Sequence, residues 1–185
     1  MDANDVLYEI ARTFYGTDHE DYLRLDDGEL RLGNLTVVAR GDRLEWRDLG
    51  LPRNAGSTEI PEGSDYDEEL PDGSYIEDIV DEVGQWLLGW TEAIDAGELL
   101  EYLQDVTDGE IVGDALIEND GVTAWSVATY DEAPFVLLGR GSVAYGKDDI
   151  VEDDFYPVDP ELAATGHGRK AVEEAYRGLI KEAGL

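Results

Sequence analysis

Cysteine is absent from this 185-residue sequence, which removes disulfides, thiolate nucleophiles and thiolate metal sites together. Histidine occurs only at His19 and His167, and a metal centre needs more nitrogen ligands than one lone histidine supplies. A Ser-His-Asp triad would have to recruit one of these two by folding alone. No P-loop, Gly-x-Ser-x-Gly or His-Glu-x-x-His pattern occurs. There is no apolar run of about 18 residues, so no transmembrane helix is expected. The opening Met1-Asp-Ala-Asn-Asp5 lacks the basic and apolar regions of a signal peptide. These absences predict a protein of the cytoplasm, or of a virion if a virus encodes it. They also predict no membrane partner, no metal and no cofactor.

Lysine is the next scarcity. Only Lys147, Lys170 and Lys181 occur, and 13 Lys plus Arg face 45 Asp plus Glu, for a net charge of −32. Hydrophobic residues still make up 42% of the chain, enough to bury a core. The composition resembles that of cytoplasmic proteins from salt-in extreme halophiles. The physics agrees: at molar salt the Debye length is about 3 Å, so self-repulsion of a carboxylate-covered surface is largely screened. In dilute buffer that repulsion is expected to unfold the chain partly or wholly. Nucleic acid is not an expected partner, because no basic patch exists to neutralise phosphates.

The charge is unevenly spread. Arg24, Arg31, Arg40, Arg43, Arg47 and Arg53 share one window with Asp26, Asp27, Glu29, Asp42, Glu45 and Asp48, so residues 24–53 are neutral. From Asn54 to Gly139 there are 23 acids and no Lys or Arg. Two readings of the neutral window stand side by side. One is a sheet laced by cross-strand ion pairs. The other is a contact surface in which Arg24, Arg31, Arg40, Arg43 and Arg47 dock on an acidic neighbour through bidentate carboxylate pairs.

Periodicity organises the chain around residues 71–106. Ile76, Ile79, Val80, Val83, Trp86, Leu87 and Trp90 fall at helical spacing, with Ser74 and Glu77 placed to form a capping box. Trp86 and Trp90 are one turn apart and are expected side by side in the core. A second helix follows Asp95 and carries Leu99, Leu100 and Leu103. Before this hairpin, a first helix capped by Asp2 or Asn4 carries Val6, Leu7, Ile10, Ala11 and Phe14. His19 sits in a polar turn and reads as solvated surface. Asp27-Gly28 and Arg40-Gly41-Asp42 are turn signals within a four-stranded meander over residues 22–47.

Residues 48–73 read as loop. Their run Asp65-Tyr-Asp-Glu-Glu69 has the carboxylates of a calcium loop, but Leu70 stands where an EF-hand needs glycine. A second four-stranded meander is expected from Glu110–Glu118, Val122–Thr129, Phe135–Leu138 and Ser142–Tyr145, with a bend at Gly139–Gly141. An acidic, proline-marked stretch, Asp148–Pro160, precedes a last helix over about residues 168–183 that ends at Gly184.

The predicted fold class is α+β: two antiparallel β-meanders flanking a central helical hairpin, with N- and C-terminal amphipathic helices. The domain expectation is one unit over 1–185. Its sub-units are 1–53 (helix and Arg-rich meander), the acidic loop 54–70, and 71–185 (helical hairpin, second meander, last helix).

One short stretch carries a resemblance. Val158-Asp-Pro-Glu-Leu-Ala-Ala-Thr-Gly-His-Gly-Arg-Lys-Ala is similar to the acyl-CoA pyrophosphate loop of GNAT acetyltransferases. That family's pattern is Arg/Gln-x-x-Gly-x-Gly/Ala, and Ala163 takes its first position here. The resemblance implies that Gly166, His167, Gly168 and Arg169 hold the pyrophosphate of acetyl-CoA at a helix N-terminus.

The sequence leans towards no enzymatic role. The leading expectation is a non-enzymatic assembly or protein-interaction component of an extreme halophile, from a haloarchaeon or its virus. A virion head–tail or tail structural protein is one concrete form. The alternatives are a reduced GNAT-like acetyltransferase and an acidic DNA-mimic inhibitor.

Overall fold

The computed structural model describes residues 1–51, 54–130, 133–144 and 150–185. Arg53, the turn at Asp131-Glu132 and the strand end at Tyr145 lie outside the described residues. The fold is α+β, with two antiparallel five-stranded sheets, four helices of nine residues or more and one short helix. The chain divides into two compact units, Met1–Trp90 and Thr91–Leu185. Among the described residues, no helix is long and apolar enough to cross a membrane.

In the first unit, α1 (Ala3–Arg12) starts at a capping box in which Asp2 accepts from the backbone of Asn4 and Asp5, while Asp5 accepts from the Asp2 N–H. Its buried stripe is Ala3, Val6, Leu7, Ile10 and Ala11. The sheet then runs in sequence order through β1 (Arg24–Asp26), β2 (Glu29–Leu32), β3 (Leu35–Arg40), β4 (Arg43–Asp48) and β5 (Gly56–Glu59). The Asp27-Gly28 turn has both φ angles positive, as a two-residue hairpin requires.

The fifth strand departs from the expected loop over residues 48–73. Gly-Ser-Thr-Glu has no apolar alternation, yet it is held at two points. The Trp46 indole occupies the place a Gly56 side chain would need, and buried Thr58 donates to Asp72 Oδ2 at 2.7 Å. That same Asp72 removes the expected cap of α2 (Ile76–Leu88). Ser74 donates its hydroxyl to Asp72 Oδ1 at 2.6 Å, so Tyr75 becomes the N-cap and makes no side-chain bond.

Two further expectations are corrected around Trp90. The helix ends at Leu88 and passes into a 3₁₀ turn (Gly89–Ala93), so Trp90 does not continue the stripe of half-buried Trp86. Its ring meets Tyr22 and His19 instead. His19 is not solvated: it is 4% exposed, and its Nδ1 accepts the Trp90 indole N–H at 3.0 Å. A buried indole N–H needs an acceptor, and a neutral imidazole protonated on Nε2 supplies one.

The second unit repeats the plan. Asp95 caps α3 (Ala96–Gln104) by accepting from Gly97 and Glu98. The sheet consists of β6 (Gly109–Val112), β7 (Ala115–Glu118), β8 (Thr123–Thr129), β9 (Val136–Val143) and β10 (Ile150–Val158), again in sequence order. After a short α4 (Pro160–Ala164), α5 (Gly168–Ala183) ends at Gly184 in the left-handed conformation. Helices α3 and α5 pack on the face carrying Leu116, Trp125, Leu138 and Val158. Trp125 is the anchor here, with its N–H donated to Glu118 Oε1 at 2.7 Å.

Three strand expectations change in this sheet. Glu110–Glu118 is a hairpin rather than one strand, turning at Gly113 with positive φ. The expected bend at Gly139–Gly141 is absent, and β9 runs straight through it. Those glycines let β10 come close: a side chain on Gly141 would overlap the Val151 carbonyl oxygen, beside a bulge between Glu152 and Asp154. The acidic, proline-marked stretch is itself β10. It is an edge strand, where Pro157 and consecutive carboxylates are tolerated because only one side is paired.

Candidate functional site

The five arginines read from the sequence as contact residues lie on one surface. Helix α1 and the apolar residues Leu30, Val37 and Leu44 occupy one face of the first sheet, and Arg24, Arg31, Arg40, Arg43 and Arg47 stand exposed on the other. This follows from period two in strands joined by tight turns: Arg-Leu-Asp, Glu-Leu-Arg and Glu-Trp-Arg each put a base and an acid two residues apart on the same side.

The register sorts these side chains into bands that run across the strands. Arg24, Arg31, Thr36 and Arg47 are successive partners in one row. Asp26, Glu29, Val38, Glu45 and Ser57 form the next. Arg40, Arg43 and Glu59 form a third. Thr36 is 1% exposed between Arg31 and Arg47, as expected where long aliphatic stems flank a short residue. Arg24, Asp26, Asp27, Glu29 and Arg31 line a shallow open depression.

The first two bands set charge of opposite sign in neighbouring rows and charge of one sign within a row. The residues directly opposite one another carry like charge: Arg24 faces Arg31, Asp26 faces Glu29, and Arg40 faces Arg43. Such pairs are destabilising. Arg31 donates Nε to the Gly33 carbonyl at 3.0 Å, and Arg43 donates to Ser57 Oγ at 3.3 Å. Arg24 donates to the carbonyls of Asp21 and Leu23. Ion pairs with neighbouring carboxylates are formed by Arg12, Arg140, Arg169, Lys170 and Arg177. The acidic row was not singled out from sequence. Its signal is the two-residue spacing of acid and arginine, which becomes informative once the turns set the register.

The residues of the GNAT-like loop are brought together but engaged locally. Gly166 has φ +79° and makes the turn between α4 and α5. His167 is the N-cap of α5 without a side-chain cap bond, and its Nδ1 lies 3.3 Å from Thr165 Oγ1. Gly168 is buried against Leu99 and Tyr102, where an added Cβ would sit 3.0 Å from the leucine. Arg169 pairs with Asp105 at 2.6 Å and covers the Tyr102 ring. Glu98 accepts the Tyr102 hydroxyl at 2.6 Å and holds that phenol above its ordinary range. The one cation of the loop that would face a pyrophosphate is thus turned to α3.

Among the described residues, no three His, Asp or Glu side chains converge as a metal site. On the second sheet, Arg140 lies over the Trp125 ring and 3.9 Å from Asp154, a structural stack at the edge of the core. Protein-family models, curated proteins and solved structures give no match to this chain.

Proposed function

We propose that the protein is a non-enzymatic assembly or protein-interaction component of an extreme halophile, encoded by a haloarchaeon or its virus. A virion head–tail or tail structural protein is one concrete form. The observation that carries the interaction reading is the outer face of the first sheet. It gathers five exposed arginines, with like charges opposed across the strands, in a chain of net charge −32. A planar guanidinium binds carboxylates bidentately and is weakly hydrated, so it suits a protein contact better than a solvated ammonium does. A partner surface bearing carboxylates opposite the arginine row offsets the like-charge opposition within it. The halophile part rests on composition: a surface this acidic stays folded where salt screens it.

The test is site-specific cross-linking in cells that produce the chain naturally. A photo-reactive residue replaces Ser57, exposed at the end of the acidic row. A second probe replaces Glu174, exposed on α5. The expected result is a covalent protein adduct from position 57 and none from 174. No adduct from position 57 would end the interaction reading for this face.

A further inference from the structure

We infer that the occupant of this face is a second copy of the same chain, docked sheet on sheet about a two-fold axis. The inference rests on the interaction reading above and names its partner.

The rows make the face complementary to itself. Consider an axis lying across the strands, midway between the Arg24–Arg31–Arg47 row and the Asp26–Glu29–Glu45 row. A half-turn about it lays the arginine row of each copy on the acidic row of the other. Position along the row is preserved, so like strand faces like strand. Arg24 meets Asp26 of the second copy, Arg31 meets Glu29, and Arg47 meets Glu45. Symmetry then repeats all three contacts, as an isologous interface requires. Thr36 and Val38 meet at the centre, where both rows lack charge. Packed sheets cross at about 30°, which displaces the outermost pairs by a distance an arginine stem spans.

The arrangement answers the two oddities of the isolated face. Each like-charged pair within a sheet, Arg24 with Arg31 and Asp26 with Glu29, gains opposite charge from across the interface. Arg31 and Arg47, for which the described residues supply no ion pair, acquire carboxylates. Salt governs the encounter. Two copies of charge −32 repel at low ionic strength, whereas molar salt shortens the Debye length to about 3 Å and leaves only contact-range pairing.

The experiment uses the full chain in roughly 3 M KCl, a salt that screens its charge, with mass read by light scattering and folding by tryptophan fluorescence. The wild type is expected to be a dimer. Arg31→Glu and Glu29→Arg, each alone, are expected to raise the dimer dissociation constant about tenfold or more by opposing like charges. Mixed in equal amounts, the two variants are expected to pair with each other. The double variant Arg31→Glu/Glu29→Arg is expected to dimerise by itself, because the reversed rows are again complementary. A folded wild-type monomer overturns the inference, as do single reversals that leave the dimer intact. Single reversals that weaken it without rescue in the double variant also overturn the two-fold register. A wild-type monomer whose position 57 still cross-links to another protein in cells overturns only the second copy and leaves the interaction reading standing.

Discussion

The two units share a plan and differ in what they turn outward. Each is a five-stranded antiparallel meander with helices on one face and one buried tryptophan whose N–H is bound by a side chain. On the first sheet the outer face is built from long charged side chains in rows. On the second the corresponding face mixes small residues, Ala115, Ala124, Ser126, Ala128, Gly139 and Gly141, with the apolar Ile117, Leu137 and exposed Phe155, and Glu152 reaches Ser126 across it. Small residues there let the bulged edge strand approach closely; long residues on the first sheet hold charge away from the backbone. A shared plan therefore explains the folding pattern, and the two units differ in the sheet face away from their helices.

The contrast can be tested by substitution. Gly141→Ala on the second sheet is expected to destabilise by about 2–3 kcal/mol, because the methyl group meets the Val151 carbonyl rather than a movable side chain. Ser57→Ala, on the exposed face of the first sheet, is expected to stay within about 0.5 kcal/mol. Denaturant melts at molar salt compare the two, and equal effects would show that the faces are built alike. Next in size, Arg31→Glu is expected to stabilise the folded monomer by about 0.5 kcal/mol, since it replaces a like-charged cross-strand pair with an opposite one. Loss of stability in the dissociated chain would mean that the Arg24–Arg31 opposition carries no cost.

The smallest effect distinguishes the units by their acid response. In the first unit, Asp72 is held below its ordinary 3.8 by the Ser74 hydroxyl, then the Thr58 hydroxyl and the Ser74 N–H. In the second, Asp120 is lowered by the Thr123 hydroxyl, then the Val122 and Thr123 N–H groups. A depressed folded-state pKa contributes stability that is fully present above the unfolded value and lost as pH falls through the folded one. The stability gap between wild type and Asp72→Asn, and likewise Asp120→Asn, is therefore expected to close as pH drops below about 4. A gap that is constant from neutral pH to acid would refute the bonding described for that aspartate. Asp72 ties β5 to the start of α2, whereas Asp120 bonds only within its own turn, so the larger closure is expected at Asp72.

Legibility in the sequence followed the range of the forces involved. Helices α1, α3 and α5 were readable because their stripes and end residues are local. The Asp27-Gly28 hairpin was readable for the same reason. Strand β5 was not, because Thr58 is held by Asp72 and Gly56 by Trp46, both distant in sequence. Strand β10 was hidden by carboxylates and Pro157, which an edge strand accepts and an inner strand would not. His19 looked solvated because its partner lies 71 residues away. At the candidate site the arginines stood out by their rarity. The acids between them were lost in a chain with 45 of them, and only pairing register picks out Asp26, Glu29 and Glu45.

The strand order of the first unit bears on how the chain acquires its structure during synthesis. Every strand pairs with its sequence neighbour, so pairing proceeds by short loop closures and is fast. Trp90, the last residue of the unit, binds His19 near its beginning, just as the Met1 amino group reaches forward to the Ser64 carbonyl. As the chain leaves the ribosome, the meander zips progressively, but the indole bond waits for residue 90. The indole thus serves as a latch that can close only once the last residue of the first unit has been made.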